Sequence, residues 1–243
     1  MEKEFYKKLK SKTLNDIASG KITYDKLDNI LRADKEIVLE AIRHESFVYY
    51  DVPEILKDDR EIVLASLKKY GLMLEFVSDK LKKDREIVFT AVKQCGFALK
   101  YADKIFKEDK EIVHEAIKSD GWALQFVGNK FFRNPAFLFL AVKYHGYAFE
   151  LLPKKYKKDK TFIEKCIKEH GYILRFIDPK LRLNYLFLEK LVKINGYCLK
   201  YIPDVFKDDL NLALIAVKQN GLSISFVEGV LRKNKEIIIE AIK

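Results

Sequence analysis

The sequence predicts an all-α fold, an α-solenoid (α-α superhelix) of tandem 25-residue two-helix repeats, and three observations carry that prediction. Glycine recurs as Gly71, Gly96, Gly121, Gly146, Gly171, Gly196 and Gly221, each 25 residues after the last, with Ser46 one period earlier. Asp or Asn recurs at the same interval as Asp34, Asp59, Asp84, Asp109, Asn134, Asp159, Asn184, Asp209 and Asn234. Between the two columns apolar residues fall at i, i+1, i+4 and i+5, as in Ile87, Val88, Ala91 and Val92, which is one face of an α-helix. A fixed period of this length is the signature of a repeat array. A one-residue slip would turn each apolar stripe away from its neighbour, so stacking itself demands the constant spacing.

Each column has a physical reason. The Asp or Asn reads as an N-cap, accepting hydrogen bonds from free amides of the first turn. Glu36, Glu61, Glu86, Glu111 and Glu236 then sit near the positive end of the helix, where an anion is favoured. A small residue holds one core position (Ala41, Ser66, Ala91, Ala116, Ala141, Cys166, Ala216), which predicts close approach of neighbouring helices. The glycine stops this first helix after about ten residues, expected in the left-handed conformation that glycine adopts at low cost. An aromatic-rich stretch follows, as in Trp122, Ala123, Leu124, Phe126 and Val127. Leucine-rich repeats share the period but need L-x-x-L-x-L-x-x-N, which is absent, and the i, i+1, i+4 spacing of Met73, Leu74 and Val77 favours a second, shorter helix over a strand. Pro53, Pro153 and Pro203, with Ser78, Asp103 and Asp178 in the same column, end it. A tight turn follows, anchored by Leu56, Leu81, Phe106, Phe131, Tyr156, Leu181, Phe206 or Leu231. Neither helix is long enough to stand alone in water, so each repeat buries its apolar face only against its neighbours.

The expected organisation is one solenoid domain over 1–243. Residues 1–33 form a degenerate capping repeat, in which Leu14 and Ile17 align with Leu39 and Ile42. Eight repeats occupy 34–233, and 234–243 is a terminal capping helix or the start of a further repeat. Of 243 residues, 49% are hydrophobic and 34% charged, a globular composition. No run approaches the roughly 18 apolar residues of a spanning helix, and the charged start, MEKEFYKKLK, is unlike a signal peptide. Three cysteines are too few for a disulfide framework, which points to a reducing, cytoplasmic compartment.

The phrase D-R/K-E-I-V-L/F-x-A-V/I-K-x-x-G-x-A-L-x-Y/F is carried best by Asp84–Tyr101 (DREIVFTAVKQCGFALKY) and Asp109–Phe126 (DKEIVHEAIKSDGWALQF), and Ala216–Gly221 (AVKQNG) repeats its helix end. It resembles a family of tandem helical repeats catalogued as a domain of unknown function. The resemblance covers about 34–243, although the repeats opening at Asn134, Asp159 and Asn184 lack the Glu. It implies an α-helical array with no established activity, found in bacteria and protists and sometimes in proteins that intracellular bacteria deliver into hosts. It transfers no site residue.

The formal charge of +10 is concentrated. Residues 130–182 hold 13 Lys/Arg against 5 Asp/Glu, leaving a net charge of only +2 on the rest of the chain. One basic column is unbroken: Arg43, Lys68, Lys93, Lys118, Lys143, Lys168, Lys193, Lys218 and Lys243. A cation in the last helical turn complements the dipole by about 0.3–1 kcal/mol. The same column is a ladder of cations about 10 Å apart if the helices pack normally, able to hold an acidic partner or phosphates. A second column (Lys57, Lys82, Lys107, Lys157, Arg182, Lys207 and Arg232) lies in the turn before each first helix, and Lys154, Lys155, Lys157, Lys158 and Lys160 make the densest patch. The candidate anion- or partner-binding residues are therefore Lys143, Lys154, Lys155, Lys157, Lys158, Lys168, Arg175 and Arg182.

Enzymatic motifs are missing from the sequence, and no catalytic residue, cofactor or metal is predicted. His145 and His170 share a column, but two ligands do not make a zinc site. Cys166 and Cys198 replace small core residues, and Cys95 has no His or carboxylate partner at useful spacing. Phe149, Tyr172 and Tyr197, and Trp122 in the column after the glycine, are expected in or against the core. The predicted function is a monomeric, non-enzymatic scaffold binding a protein partner along an extended surface and groove. Its variable positions include Tyr50, Glu75, Lys100, Gln125, Glu150, Arg175, Lys200 and Ser225. The alternative is an anion-binding module for RNA, DNA or an acidic membrane surface, working through 130–182.

Overall fold

The computed structural model describes residues 2–45 and 47–243, so the Ser46 position of the glycine column lies outside the described residues. Two compact units divide the chain, Met1–Val127 and Gly128–Lys243. The described residues contain helices and turns and no strand. In the first unit the main helices are α1 (Glu2–Ala18), α2 (Lys35–His44), α3 (Arg60–Lys69), α4 (Arg85–Gln94) and α5 (Lys110–Ser119). In the second they are α6 (Pro135–Tyr144), α7 (Lys160–Glu169), α8 (Tyr185–Ile194), α9 (Leu210–Gln219) and α10 (Lys235–Ala241). Within each unit every main helix packs on the next in sequence, the linear stacking of an all-α solenoid.

The caps form as the sequence predicts. The Asp84 carboxylate accepts from the amides of Glu86 (2.9 Å) and Ile87 (3.1 Å), and Asp34, Asp59 and Asp109 repeat this pair. In the second unit Asn134, Asp159, Asn184 and Asp209 accept from the third amide alone, and Pro135 fills the first helical position, where its missing N–H costs nothing. Ile87, Val88, Ala91 and Val92 are completely buried, as are their counterparts Ile112, Val113 and Ala116.

The end of the helix differs from expectation. It stops one residue before the glycine: Tyr70, Cys95, Asp120, His145, His170, Asn195 and Asn220 turn into extended backbone. None of the repeat glycines has a positive φ; among the described residues only Phe47, Gly20 and Gly229 do. Close approach explains the column instead. A methyl group on Gly96 would fall inside contact distance of the Ala116 carbonyl oxygen, and one on Gly71 inside that of Ala91. On Gly196 it would lie 2.5 Å from the Ala216 oxygen. At Gly71, Gly96, Gly196 and Gly221 the glycine and the residue 20 positions later are thus two halves of one contact between adjacent repeats, whereas a methyl on Gly146 would meet the Tyr172 and His170 side chains and one on Gly171 those of Asn195 and Tyr197.

The second helix exists, and it is a 3-10 helix. It spans Gly71–Phe76, Gly96–Tyr101 and Gly121–Phe126 in the first unit, and Gly146–Leu151, Gly171–Arg175, Gly196–Tyr201 and Gly221–Phe226 in the second. The extended residue before the glycine starts it through an i→i+3 bond, as from the Ala98 amide to the Cys95 carbonyl at 2.9 Å. These runs of five or six residues exceed the three or four that a 3-10 helix commonly reaches, and the winding recurs in every one of these repeats. Ala98 and Leu99 are buried beneath it.

The N-terminal segment keeps the repeat's register in altered form. Tyr24 is completely buried with its hydroxyl donating to the Arg32 carbonyl at 2.8 Å, and Tyr49, 25 residues on, donates to the Lys57 carbonyl at 3.0 Å. Burial pushes both phenols up to about 12. At the other end Ile237 is buried, whereas Ile238, Ile239 and Ile242 are exposed.

Candidate functional site

The unbroken basic column is exposed at each of its nine positions, from Arg43 to Lys243, one cation in the last turn of each of α2 to α9 and Lys243 just past the end of α10. Arg43 pairs with Glu40 at 2.7 Å. Among the described residues no carboxylate lies within ion-pairing distance of Lys68, Lys93, Lys143 or Lys168. The second column behaves otherwise. Its members are half-buried apart from Arg232, and two of them turn inward: Lys107 Nζ donates to the Lys100 carbonyl at 2.8 Å and Lys157 Nζ to the Glu150 carbonyl at 2.5 Å. Burial lowers the Lys107 pKa. These lysines close the C-terminal end of the preceding 3-10 helix.

The candidate residues of the second unit separate into three places. Lys143 and Lys168 stand at the last turns of α6 and α7. Lys154, Lys155, Lys157 and Lys158 lie in the turn before α7, and Arg182 lies in the turn before α8. A ten-residue helix is about 15 Å long, so the two ends of α7 do not form one cluster. Arg175 belongs to the 3-10 layer, exposed over the rings of Phe176 (5.6 Å) and Tyr201 (5.9 Å). Lys154, Lys157 and Lys158 border a hollow of about 330 Å³ with Asp178, to which Lys158 pairs at 3.7 Å. Lys155 lies over the Tyr156 ring at 4.7 Å. The Arg182 Nε is buried with no hydrogen-bond partner among the described residues.

The aromatic columns divide in a way the sequence reading did not anticipate. Phe149 is core, completely buried. Trp122, Tyr147 and Tyr197 are exposed at 41%, 49% and 40%, and Tyr172 is half-buried. Placing Trp122 and Tyr197 in or against the core is therefore corrected. In a 3-10 helix the residue after glycine and the one three places on stand on the same outer edge; the second faces solvent throughout, and the first does so at Trp122, Tyr147 and Tyr197 and is half-buried at Phe97 and Tyr172. Rings of this edge pair with rings of the next repeat: Tyr147 with Tyr172 (4.9 Å), and Phe97 and Tyr197 with Phe126 (4.7 Å) and Phe226 (5.6 Å), which end the next 3-10 helix. The variable positions from Tyr50 to Ser225 are exposed throughout, and Lys100 and Lys200 lie over neighbouring rings.

Two sets of polar contacts between repeats escaped the sequence reading. The first helical residue of one repeat bridges the cap and the Glu of the next. Lys35 reaches Asp59 (2.8 Å) and Glu61 (3.0 Å), Arg60 reaches Asp84 (3.1 Å) and Glu86, and Arg85 reaches Asp109 (3.5 Å) and Glu111 (2.6 Å). Lys10 of α1 does the same to Asp34 and Glu36. The Arg60 guanidinium holds the Asp84 carboxyl below its usual range. The D-K/R-E triplet, repeated at 25 residues, was the available signal. In the second unit the same place holds Tyr185, whose hydroxyl donates to Asp209 at 3.2 Å, and Lys160, over the Phe187 ring at 5.3 Å.

The second set ties helix ends together. Gln94 Oε1 accepts from the Gly71 amide at 2.5 Å while its Nε2 donates to the Lys69 carbonyl at 2.9 Å. Gln219 accepts from Gly196 at 2.5 Å, and Asn195 Nδ2 donates to the Ile167 carbonyl at 2.9 Å. His170 takes this role too, its Nε2 lying 3.1 Å from the Lys143 carbonyl and its ring against Tyr172. No group of three His, Cys, Asp or Glu able to hold a metal occurs among the described residues. Cys166 and Cys198 are buried thiols and Cys95 is half-buried. Burial pushes Cys166 up to about 12 and raises Cys198 as well. No helix among the described residues is long and apolar enough to cross a membrane.

Within each unit, a linear stack of helical repeats with polar clamps between neighbours and side chains that vary on its outer edge defines a tandem helical-repeat protein. The chain belongs to the family described as Domain of unknown function (DUF4116), which it matches five times, over 34–82, 59–107, 84–133, 134–182 and 184–228. Each match spans about two 25-residue repeats, and the first three overlap by one repeat. Comparison with curated proteins and with solved structures yields no match.

Proposed function

We propose that the protein is a non-enzymatic scaffold that binds a protein partner through the outer edge of its 3-10 layer. One observation carries this reading. The core columns are nearly the same in every repeat, while the exposed row Tyr50, Glu75, Lys100, Gln125, Glu150, Arg175, Lys200 and Ser225 changes sign and size from one repeat to the next. Such a row, flanked by exposed rings, offers the aromatic anchors and Arg that dominate protein interfaces. A uniform track for phosphates would keep one sign. The same reading places the chain in a reducing, cytoplasmic-type compartment, where Cys95, Cys166 and Cys198 remain thiols.

Photocrosslinking residues placed at Glu75, Arg175 and Lys200 in native cells test it. The expected result is a discrete protein adduct at these positions and none at the buried Val88. Adducts to nucleic acid or lipid alone would overturn it.

Anion binding through 130–182 is the alternative, supported by Lys154 and Lys155, which are exposed and lack a carboxylate partner among the described residues. The inward-turned Lys157 and the paired Lys158 weaken it. Titration with a single-stranded oligonucleotide across salt separates the readings, since phosphate binding falls steeply as salt rises.

A further inference from the structure

Within the first unit the outer surface of the main helices carries a groove that the family assignment does not account for. It lies across α2, α3 and α4 as two adjoining hollows of about 370 and 470 Å³ that share Lys68. The floor is apolar: Leu39, Leu64 and Phe89 occupy one column 25 residues apart and are half-buried. They stand outside the i, i+1, i+4, i+5 stripe, so the packing of the repeats does not explain their being apolar.

The two rims are unequal. On the side of the helix starts stand Glu61 and Glu86, whose charges are met by Lys35 at 3.0 Å and by Arg60. On the side of the helix ends stand Lys68 and Lys93, exposed and with no carboxylate in ion-pairing distance among the described residues. The rims are seven residues apart along each helix, a rise of about 10 Å, which is the width of one α-helix. Helices packed side by side repeat every 8–10 Å or so, and seven residues of a crossing helix rise by nearly the same distance.

We propose that this groove takes an acidic amphipathic α-helix of a protein partner, lying across α2, α3 and α4. Its carboxylates, seven residues apart, face Lys68 and Lys93, and its apolar residues meet Leu39, Leu64 and Phe89. The inference rests on the scaffold reading, adding a second surface and the chemistry of what occupies it.

The probe is a fluorescein-labelled 21-residue helical peptide with Glu at every seventh position on one edge and Leu facing the floor. It is compared by anisotropy with a scrambled peptide of the same composition. The patterned peptide is expected to bind at least tenfold tighter than the scrambled one. Lys68→Glu with Lys93→Glu should weaken it at least tenfold, at unchanged thermal unfolding and circular dichroism. Lys154→Glu with Lys158→Glu should leave it unchanged. Equal binding of both peptides, no binding, or indifference to Lys68→Glu with Lys93→Glu would overturn the proposal. So would a single-stranded oligonucleotide that binds the same groove more tightly than the peptide. Failure of the peptide with intact protein crosslinks at Glu75, Arg175 and Lys200 removes this groove alone, and loss of both removes the scaffold reading as well.

Discussion

The α-carbon of Gly96 lies so close to the backbone carbonyl oxygen of Ala116 that a methyl group there would overlap it. The oxygen also accepts the Asp120 amide at 2.8 Å, which fixes it at the end of α5. Two columns that look independent in the sequence therefore meet in one junction, which Gly71 with Ala91 and Gly196 with Ala216 repeat.

Gly96→Ala is accordingly expected to destabilise the first unit by about 3 kcal/mol, the upper end of overpacking costs, because the obstructing atom is backbone and cannot rotate away. Gly20→Ala is the comparison. Gly20 has a φ of +71° and open space around it, so its cost is that of a left-handed alanine, about 1–2 kcal/mol. Urea unfolding of the two variants checks the order, with Gly96→Ala the less stable.

Gln94 satisfies a donor and an acceptor belonging to the neighbouring repeat. Gln94→Ala should cost about 1–3 kcal/mol, the penalty for leaving such groups unpaired. Gln94→Glu keeps the acceptor for the Gly71 amide. Hydrogen exchange at Gly71 should accelerate strongly in the alanine variant and stay close to the parent in the glutamate variant.

The cap carboxylates make the fold acid-sensitive. Asp84 has its pKa lowered, first by Arg60, so its contribution is fully present above the unfolded value near 3.9 and is lost as pH falls through the folded one. Asp84→Asn retains the cap and removes the charge, and at neutral pH should cost no more than about 1 kcal/mol. Asp84→Ala also loses the cap, at a further ~1 kcal/mol. Melting temperature measured from pH 6 to pH 2 should fall less steeply in Asp84→Asn than in the parent.

The thiols should differ in accessibility. Alkylation at pH 8 followed by peptide mass analysis is expected to label Cys95 first. Cys166 and Cys198 are buried and held as thiols by burial, so they should react only as the second unit unfolds.

What was legible in the sequence is whatever depends on bonds along the chain or on a period. The caps at Asp84 and its counterparts, the apolar stripe of Ile87, Val88, Ala91 and Val92, and the stacking of successive repeats all follow from spacing. So does the basic column in the last turns of α2 to α9, because its members sit opposite the buried stripe. The second helix was legible as a helix but not as a 3-10 helix, since five or six residues carry no periodicity that separates the two windings.

The tertiary structure decided what depends on where a neighbouring repeat stands. Gly71, Gly96, Gly196 and Gly221 are required by a carbonyl of the next repeat, and Gly146 and Gly171 by its side chains, not by their own backbone angles. Trp122 and Tyr197 face outward because the tighter winding turns their edge to solvent, whereas composition alone places rings inside. Lys157 and Lys107 fold back onto carbonyls while Lys68 and Lys93 are exposed with no carboxylate in ion-pairing distance among the described residues, though all four are lysines in regular columns. Charge and hydropathy belong to the residue, but its partner and its exposure are properties of the packed neighbour, and only coordinates hold that distance.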